Sequence, residues 1–316
     1  MRHYQTYVNM LIFIILIGLS FNTSYNPFLM NHIETFSIQT VSKSDDELYK
    51  EVKEKSKLYN EEPEDAYIDK IWKKTPGRNG VKVNIDKSYS QIKKEGRVDK
   101  SLLTYEEVSP KVSLNDLSAA PIYRGHPKKD MVAFLINVSW GTEYIPDILT
   151  ILKEENIKAT FFIEGKWAKE NAEHVKMIFE EGHVIGNHAY SHPDMARLSN
   201  QAILDEINQT NDVIKAIIKE EPKWFAPPSG SFSDHVVDIA SNLNMETVLW
   251  TVDTIDWKNP STSVMINRVM KNIHPGATIL MHPTSSITNG LETLIKEIKD
   301  ENYELGTIEN LLSEER

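Results

Sequence analysis

The sequence predicts an α/β protein: a (β/α)7-8 barrel preceded by a small N-terminal α/β module. Two observations carry that prediction. From Met131 onward, short apolar runs alternate with helical stretches of about 10 to 20 residues, the pattern of parallel βα units. Polar clusters follow those apolar runs rather than precede them, as they do where a barrel builds its site past the C-terminal ends of its strands. The strand candidates are Val132–Val138, Ala159–Ile163, His183–Asn187, Trp224–Ala226, Thr247–Val252 and Thr278–Met281. Helical stretches between them include Ile145–Glu155, Ala168–Glu181, Asn200–Lys219, Ser233–Asn242, Ser263–Asn272 and Gly290–Asp300. Six or seven such repeats with no Gly-rich nucleotide fingerprint fit a barrel better than an open sheet.

The chain of 316 residues has room for one large domain and a smaller piece. At the N-terminus, Arg2 and His3 precede a run from Tyr7 to Phe21 that is apolar except for Asn9, Gly18 and Ser20. It is short for a membrane span, which needs about 20 apolar residues, but suits the core of a signal peptide. Asn22-Thr23-Ser24 is a poor cleavage site, so residues 1–30 read as a signal peptide or an uncleaved membrane anchor, with the remainder outside the cytoplasm. Residues 42–120 read as an accessory module. Leu48 with Val52, and Ile68 with Ile71 and Trp72, have helical spacing on either side of Pro63. Val81, Val83 and Ile85 alternate like a strand, Ser88 to Glu95 reads as a helix stopped at Gly96, and Leu102 to Val108 offers a second strand. Pro110 to Pro127 is a linker that wraps onto the barrel, and residues 130–310 form the main domain.

Composition excludes several functions. A net charge of −11 without a basic stripe argues against a nucleic-acid partner, and the absence of cysteine excludes disulfides and thiolate chemistry. The chemistry must lie in the clusters. His188 and His192 stand four residues apart in a compact turn, a spacing that suits two ligands of one divalent ion. The other clusters are Asn137-Val138-Ser139-Trp140-Gly141, Phe225-Ala226-Pro227-Pro228-Ser229-Gly230, Asp253-Thr254-Ile255-Asp256-Trp257 and Leu280-Met281-His282.

Together with Ala159 to Gly165, this ordered set resembles the polysaccharide deacetylase family (NodB-type domain, carbohydrate esterase family 4) over about residues 130–310. The resemblance implies a distorted barrel and a metal-dependent N-deacetylase acting on an N-acetylated cell-wall polysaccharide such as peptidoglycan or a chitin-like polymer. By analogy with exported members in spore-forming bacteria, it implies a wall or spore setting. It also implies zinc or cobalt on His188 and His192, and a general-acid His282 oriented by Asp256. Trp257, Leu280 and Pro228 would line the substrate pocket. A cation polarises the amide carbonyl and acidifies a bound water, a carboxylate takes the water's proton, and an acid protonates the leaving amine.

The family's first motif reads Thr-Phe-Asp-Asp-Gly, the first Asp being the base and the second a metal ligand. Aligned on Gly141, this chain has Ser139 and Trp140 in those places, and Ala226 where the third motif has an Arg that holds the base. A serine is no base near neutral pH without an activator, and an indole offers a cation no lone pair. Three readings follow. The chain is a catalytically impaired glycan-binding relative, with Trp140 as a sugar platform or a plug in the metal site. Alternatively it is a working deacetylase with a rearranged ligand set that recruits Asp194 or Glu143. In the third, Ser139 serves as a nucleophile with His282. His3, His32, His126, His174, His183, His235 and His274 match no family position and read as surface or packing residues.

Overall fold

The computed structural model describes Met10, Leu11 and residues 46–316. The predicted signal or anchor within residues 1–30 lies outside the described residues apart from that pair. Among the described residues no helix is long and apolar enough to cross a membrane. Contacts divide the chain into two compact units, residues 1–54 and 55–316. Helix α1 (Glu47–Ser56) contains the predicted Leu48–Val52 pair.

Within residues 55–316, two small antiparallel hairpins precede the main sheet. Strands β1 (Tyr67–Asp69) and β2 (Lys73–Thr75) form one, and β3 (Gly80–Val83) pairs with β4 (Tyr105–Val108) in the other. Between β3 and β4 lies α2 (Ile85–Glu95), capped by Asn84 and ended by Gly96 in the left-handed region. The helix expected from Ile68, Ile71 and Trp72 is instead β1 and the turn after it. Asp69 Oδ1 accepts the N–H groups of Ile71 and Trp72, each at 2.7 Å, and this side-chain turn ends the strand.

The main sheet is all parallel and curls into a barrel that does not close. Its strands are β5 (Met131–Val138), β6 (Thr160–Ile163), β7 (Val184–Asn187), β8 (Trp224–Phe225), β9 (Glu246–Thr247), β10 (Val252–Asp253) and β11 (Thr278–Met281), in spatial order β10-β11-β5-β6-β7-β8-β9. A last strand, β12 (Glu304–Gly306), pairs with the start of β5 below β6. The single strand expected over Thr247–Val252 is thus split into β9 and β10, which do not pair with each other. Ile122 of the linker fills the opening: it bridges Val248, accepts from Leu249 N–H, and donates its own N–H to Thr247.

The crossovers are α3 (Ile145–Glu154), α4 (Gly165–Glu170), α5 (Ala172–Glu180), α6 (Asn200–Ile218), α7 (Asp234–Asn242), α8 (Thr262–Asn272) and α9 (Ser285–Asp300). The helix predicted over Ala168–Glu181 is broken at Asn171, whose side chain donates to the Trp167 carbonyl. Two cores result. Outward-facing Phe134, Ile136, Phe161 and Ile279 pack under the helices, while inward-facing Leu135, Phe162 and Val248 fill the barrel. The C-terminal helix α10 (Ile308–Leu312) and Leu114 share this inner core. The polar clusters lie at the other end of the barrel, past the C-terminal ends of its strands.

Candidate functional site

Strand alternation decides which side chains reach that end. On β5, Val132, Phe134, Ile136 and Val138 pack outward, so Asn137 and Ser139 point inward above Leu135. On β6 the same phase sends Glu164 inward above Phe162, and on β11 it sends Leu280 and His282 inward. On β7, Gly186 lies beneath His188, because a Cβ there would strike the Phe162 ring. These groups meet Trp140, His192, Ser229, Trp250, Asp253 and Trp257 around a pocket of about 330 Å³.

The histidine turn is strained and clamped. Ala189 and His192 adopt φ of 60° and 57°, unusual for residues with a Cβ. Asn187 accepts the Ala189 N–H at 2.7 Å and donates to Ile207 and Asn211 of α6. Glu206 accepts the N–H groups of Tyr190 and Ser191, both at 2.8 Å. His188 Nδ1 lies 2.7 Å from the Ala226 carbonyl, which can only accept. The proton therefore sits on Nδ1, and Nε2 keeps its lone pair. Burial of His188, with His192 beside it, pushes its pKa down to about 3. Burial also lowers that of His192, and the two rings meet edge to face at 5.1 Å.

A divalent ion of the zinc type takes three protein ligands and a water in a catalytic site. Among the described residues no group of three His, Asp or Glu side chains comes together to hold one. Trp140 stands half-exposed where a carboxylate would be needed, with its ring 5.9 Å from that of His282 and nearly parallel to it. Asp194 is engaged by Arg197 and Ser231, and neither it nor Glu143 lines the pocket. The donor set does not fit a firmly held divalent cation.

The base position is equally altered. Ser139 stands beside Glu164, whose carboxyl is pushed up by burial and partly brought back by that hydroxyl. Ala226 is buried in the inner core, its side chain among Leu135, Phe162 and Val248.

The Asp256–His282 pair that the resemblance assigns to the acid side is formed. After β10 the chain turns through Ile255 at φ 52°, a strained conformation for a β-branched residue. Asp253 accepts the Ile255 N–H at 2.8 Å and Arg268 donates to the Thr254 carbonyl at 2.9 Å, which holds the turn. The turn delivers Asp256 fully buried. Its Oδ1 accepts from Thr254 Oγ1 at 2.8 Å and from His282 Nδ1 at 3.0 Å. Its Oδ2 accepts the His282 backbone N–H at 2.9 Å and Thr284 Oγ1 at 3.0 Å.

Nine of the residues singled out in the sequence therefore fall in or against one pocket: Ser139, Trp140, His188, His192, Ala226, Asp256, Trp257, Leu280 and His282. Pro228 does not line it; buried at the start of the Pro228–Gly230 turn, it leaves Ser229 to reach the cavity. Asn137, Glu164 and Asp253 belong to the clusters but were given no role there, and Trp250 lay outside them. The first two share the inward phase of Leu135 and Phe162, a signal present in the sequence.

A family model described as polysaccharide deacetylase matches residues 124–248. The chain is 47% identical to YlxY of Bacillus subtilis (strain 168), an uncharacterized protein, over 99% of both chains. It is 34% identical to a peptidoglycan-N-acetylglucosamine deacetylase of Bacillus cereus, over 60% of this chain and 70% of that protein. Among solved structures it resembles wild-type BA3943, a CE4 family pseudoenzyme from Bacillus anthracis, with a TM-score of 0.81 and 52% identity, covering 86% of this chain and 96% of that one. A mutant of that pseudoenzyme described as having restored enzymatic activity matches with the same TM-score.

Proposed function

Because this chain belongs to the polysaccharide deacetylase family, we propose that it acts at cell-wall glycan as a silent member that binds the polymer without removing its N-acetyl groups. One observation carries the reading: Ser139 and Trp140, at the positions where the family motif has its two Asp, line the pocket beside His188 and His192, and among the described residues no third metal-holding side chain joins the two histidines. A positioned base contributes on the order of 10²- to 10⁴-fold, and the metal supplies the carbonyl polarisation that makes an amide reactive. The pocket keeps what recognition requires, a cleft walled by Trp140, Trp250 and Trp257, whose faces suit sugar rings. A similar fold described as a pseudoenzyme, with a mutant described as active again, supports a scaffold that retains its shape when its chemistry is gone. The wall setting follows from the relatives' names. With it goes export by the apolar run from Tyr7 to Phe21, as a signal or an anchor.

The rival reading, a working deacetylase of peptidoglycan or a chitin-like polymer, draws on the intact Asp256–His282 pair and on Glu164 beside Ser139. Acetate release from peptidoglycan and chitooligomers separates the two. The unmodified chain should release none and bind no stoichiometric zinc or cobalt. The triple variant Ser139→Asp, Trp140→Asp, Ala226→Arg should do both. Equal release by the two proteins would refute the silent reading.

A further inference from the structure

We infer that the pocket seats the primary ammonium of a de-N-acetylated amino sugar, a deepening of the glycan-binding reading on which it rests. Three groups around the pocket offer acceptors: the His188 ring, the Asp253 carboxylate and the Asn137 amide oxygen. His188 spends its Nδ1–H on the Ala226 carbonyl, which leaves Nε2 as an acceptor. His282 likewise spends its Nδ1–H on Asp256 Oδ1, at 3.0 Å. Ser139 lines the same cavity with its hydroxyl. Asp253 lines the same cavity with a carboxylate, one oxygen of which takes the Ile255 N–H.

The decisive group is Asn137. It is 4% exposed, it lines this pocket, and its Oδ1 is buried with no hydrogen-bond partner. A buried amide oxygen left unmet costs about 1–3 kcal/mol, so a ligand that donates to it recovers that loss. An ammonium offers three donors and no acceptor, the complement of this floor. The Trp250 indole adds to the match, since indole faces attract cations. An intact acetamide is the poorer fit. Its carbonyl needs a donor or a cation, and the residues that would have held that cation are Ser139 and Trp140. The pocket therefore exchanges a bound metal cation for a cation carried by the sugar.

The test is calorimetric titration of the chain with three tetrasaccharides, of glucosamine, of N-acetylglucosamine and of glucose, below the pKa of the sugar amine. The glucosamine oligomer should bind at least about tenfold tighter than the other two, the scale of one charge-assisted hydrogen bond. Asn137→Leu should remove most of that preference without weakening the N-acetylated ligand, and Asn137→Asp, which adds charge in the same shape, should increase it. Equal or tighter binding of the N-acetylglucosamine oligomer, or a preference unmoved by both variants, would overturn the ammonium assignment while leaving glycan binding in place. Failure of all three sugars to bind would remove the glycan-binding reading itself. Folding of each variant is checked by circular dichroism, and Asn137→Asp decides the matter if Asn137→Leu does not fold.

Discussion

Asp256→Asn isolates what the retained acid half does for the fold. The wild-type carboxylate is fully buried and accepts four hydrogen bonds, two on each oxygen, from Thr254, the His282 ring, the His282 backbone and Thr284. An asparagine has nearly the same shape, but one of its two ends is an NH₂ that cannot accept. Whichever way it turns, two of the four donors face another donor. The threonine hydroxyl can rotate away; the His282 backbone N–H cannot. With each buried unmet donor costing about 1–3 kcal/mol, the expected loss is about 2–5 kcal/mol of unfolding free energy. Urea denaturation of the two proteins measures it as a shift of the midpoint at constant slope. A Thr284→Val background removes one of the competing donors and should reduce the cost of the asparagine by about 1 kcal/mol in a double-mutant cycle. A loss under about 1 kcal/mol in Asp256→Asn would refute the reasoning. It would mean that the pair is held for a ligand and not for the fold.

Two further expectations concern stability. Gly141→Ala should cost about 2–4 kcal/mol, read as a lowered melting temperature, because Gly141 sits at φ 77° and a Cβ there would collide with the Pro283 carbonyl. Stability should also fall as pH drops from 6.5 toward 4. His126, His183 and His188 have folded pKa values of about 4, 4 and 3, set chiefly by burial and below their ordinary 6.5. In that window the unfolded chain binds protons that the folded one refuses, so stability is complete above 6.5 and declines below it by up to about 1.4 kcal/mol per pH unit for each histidine. Urea midpoints that stay constant between pH 6.5 and 4 would contradict this.

What could be read from the sequence divides by physical cause. The strands of the barrel's first half were legible because buried parallel strands are continuous apolar runs, and β5 to β7 fall within a residue or two of expectation. The Thr247–Val252 run was misread as one strand because nothing local records that the sheet opens there. The gap is closed by Ile122, far away in sequence. Ile68, Ile71 and Trp72 have helical spacing, but pairing with β2 and the Asp69 turn override it. Site residues in contiguous clusters were found. Asn137 and Glu164 stood inside those clusters without a role, because each lies within a strand-end run that reads as structural until its inward phase is followed. Trp250 and Asp253 join the pocket only through the curvature of the sheet.

The two halves of the site differ in what their loss costs the fold, and this accounts for which half persists. Asp256 ties together the turn after β10, the end of β11 and the start of α9 with four hydrogen bonds in a dry interior, so its replacement strands donors on all three. The base half has no such duty. Once Ser139 stands at the end of β5, an Arg at position 226 would lie among Leu135, Phe162 and Val248 without the acid that held it, an uncompensated buried cation costing several kcal/mol. Ala226 removes that cation and leaves its own carbonyl to fix the tautomer of His188. Trp140 lies nearly parallel to the His282 ring, its centroid 5.9 Å away. Ser139, Trp140 and Ala226 thus form a self-consistent set. Restoring any one of them alone would insert a charge whose partner is missing, so the triple variant should recover what no single substitution can.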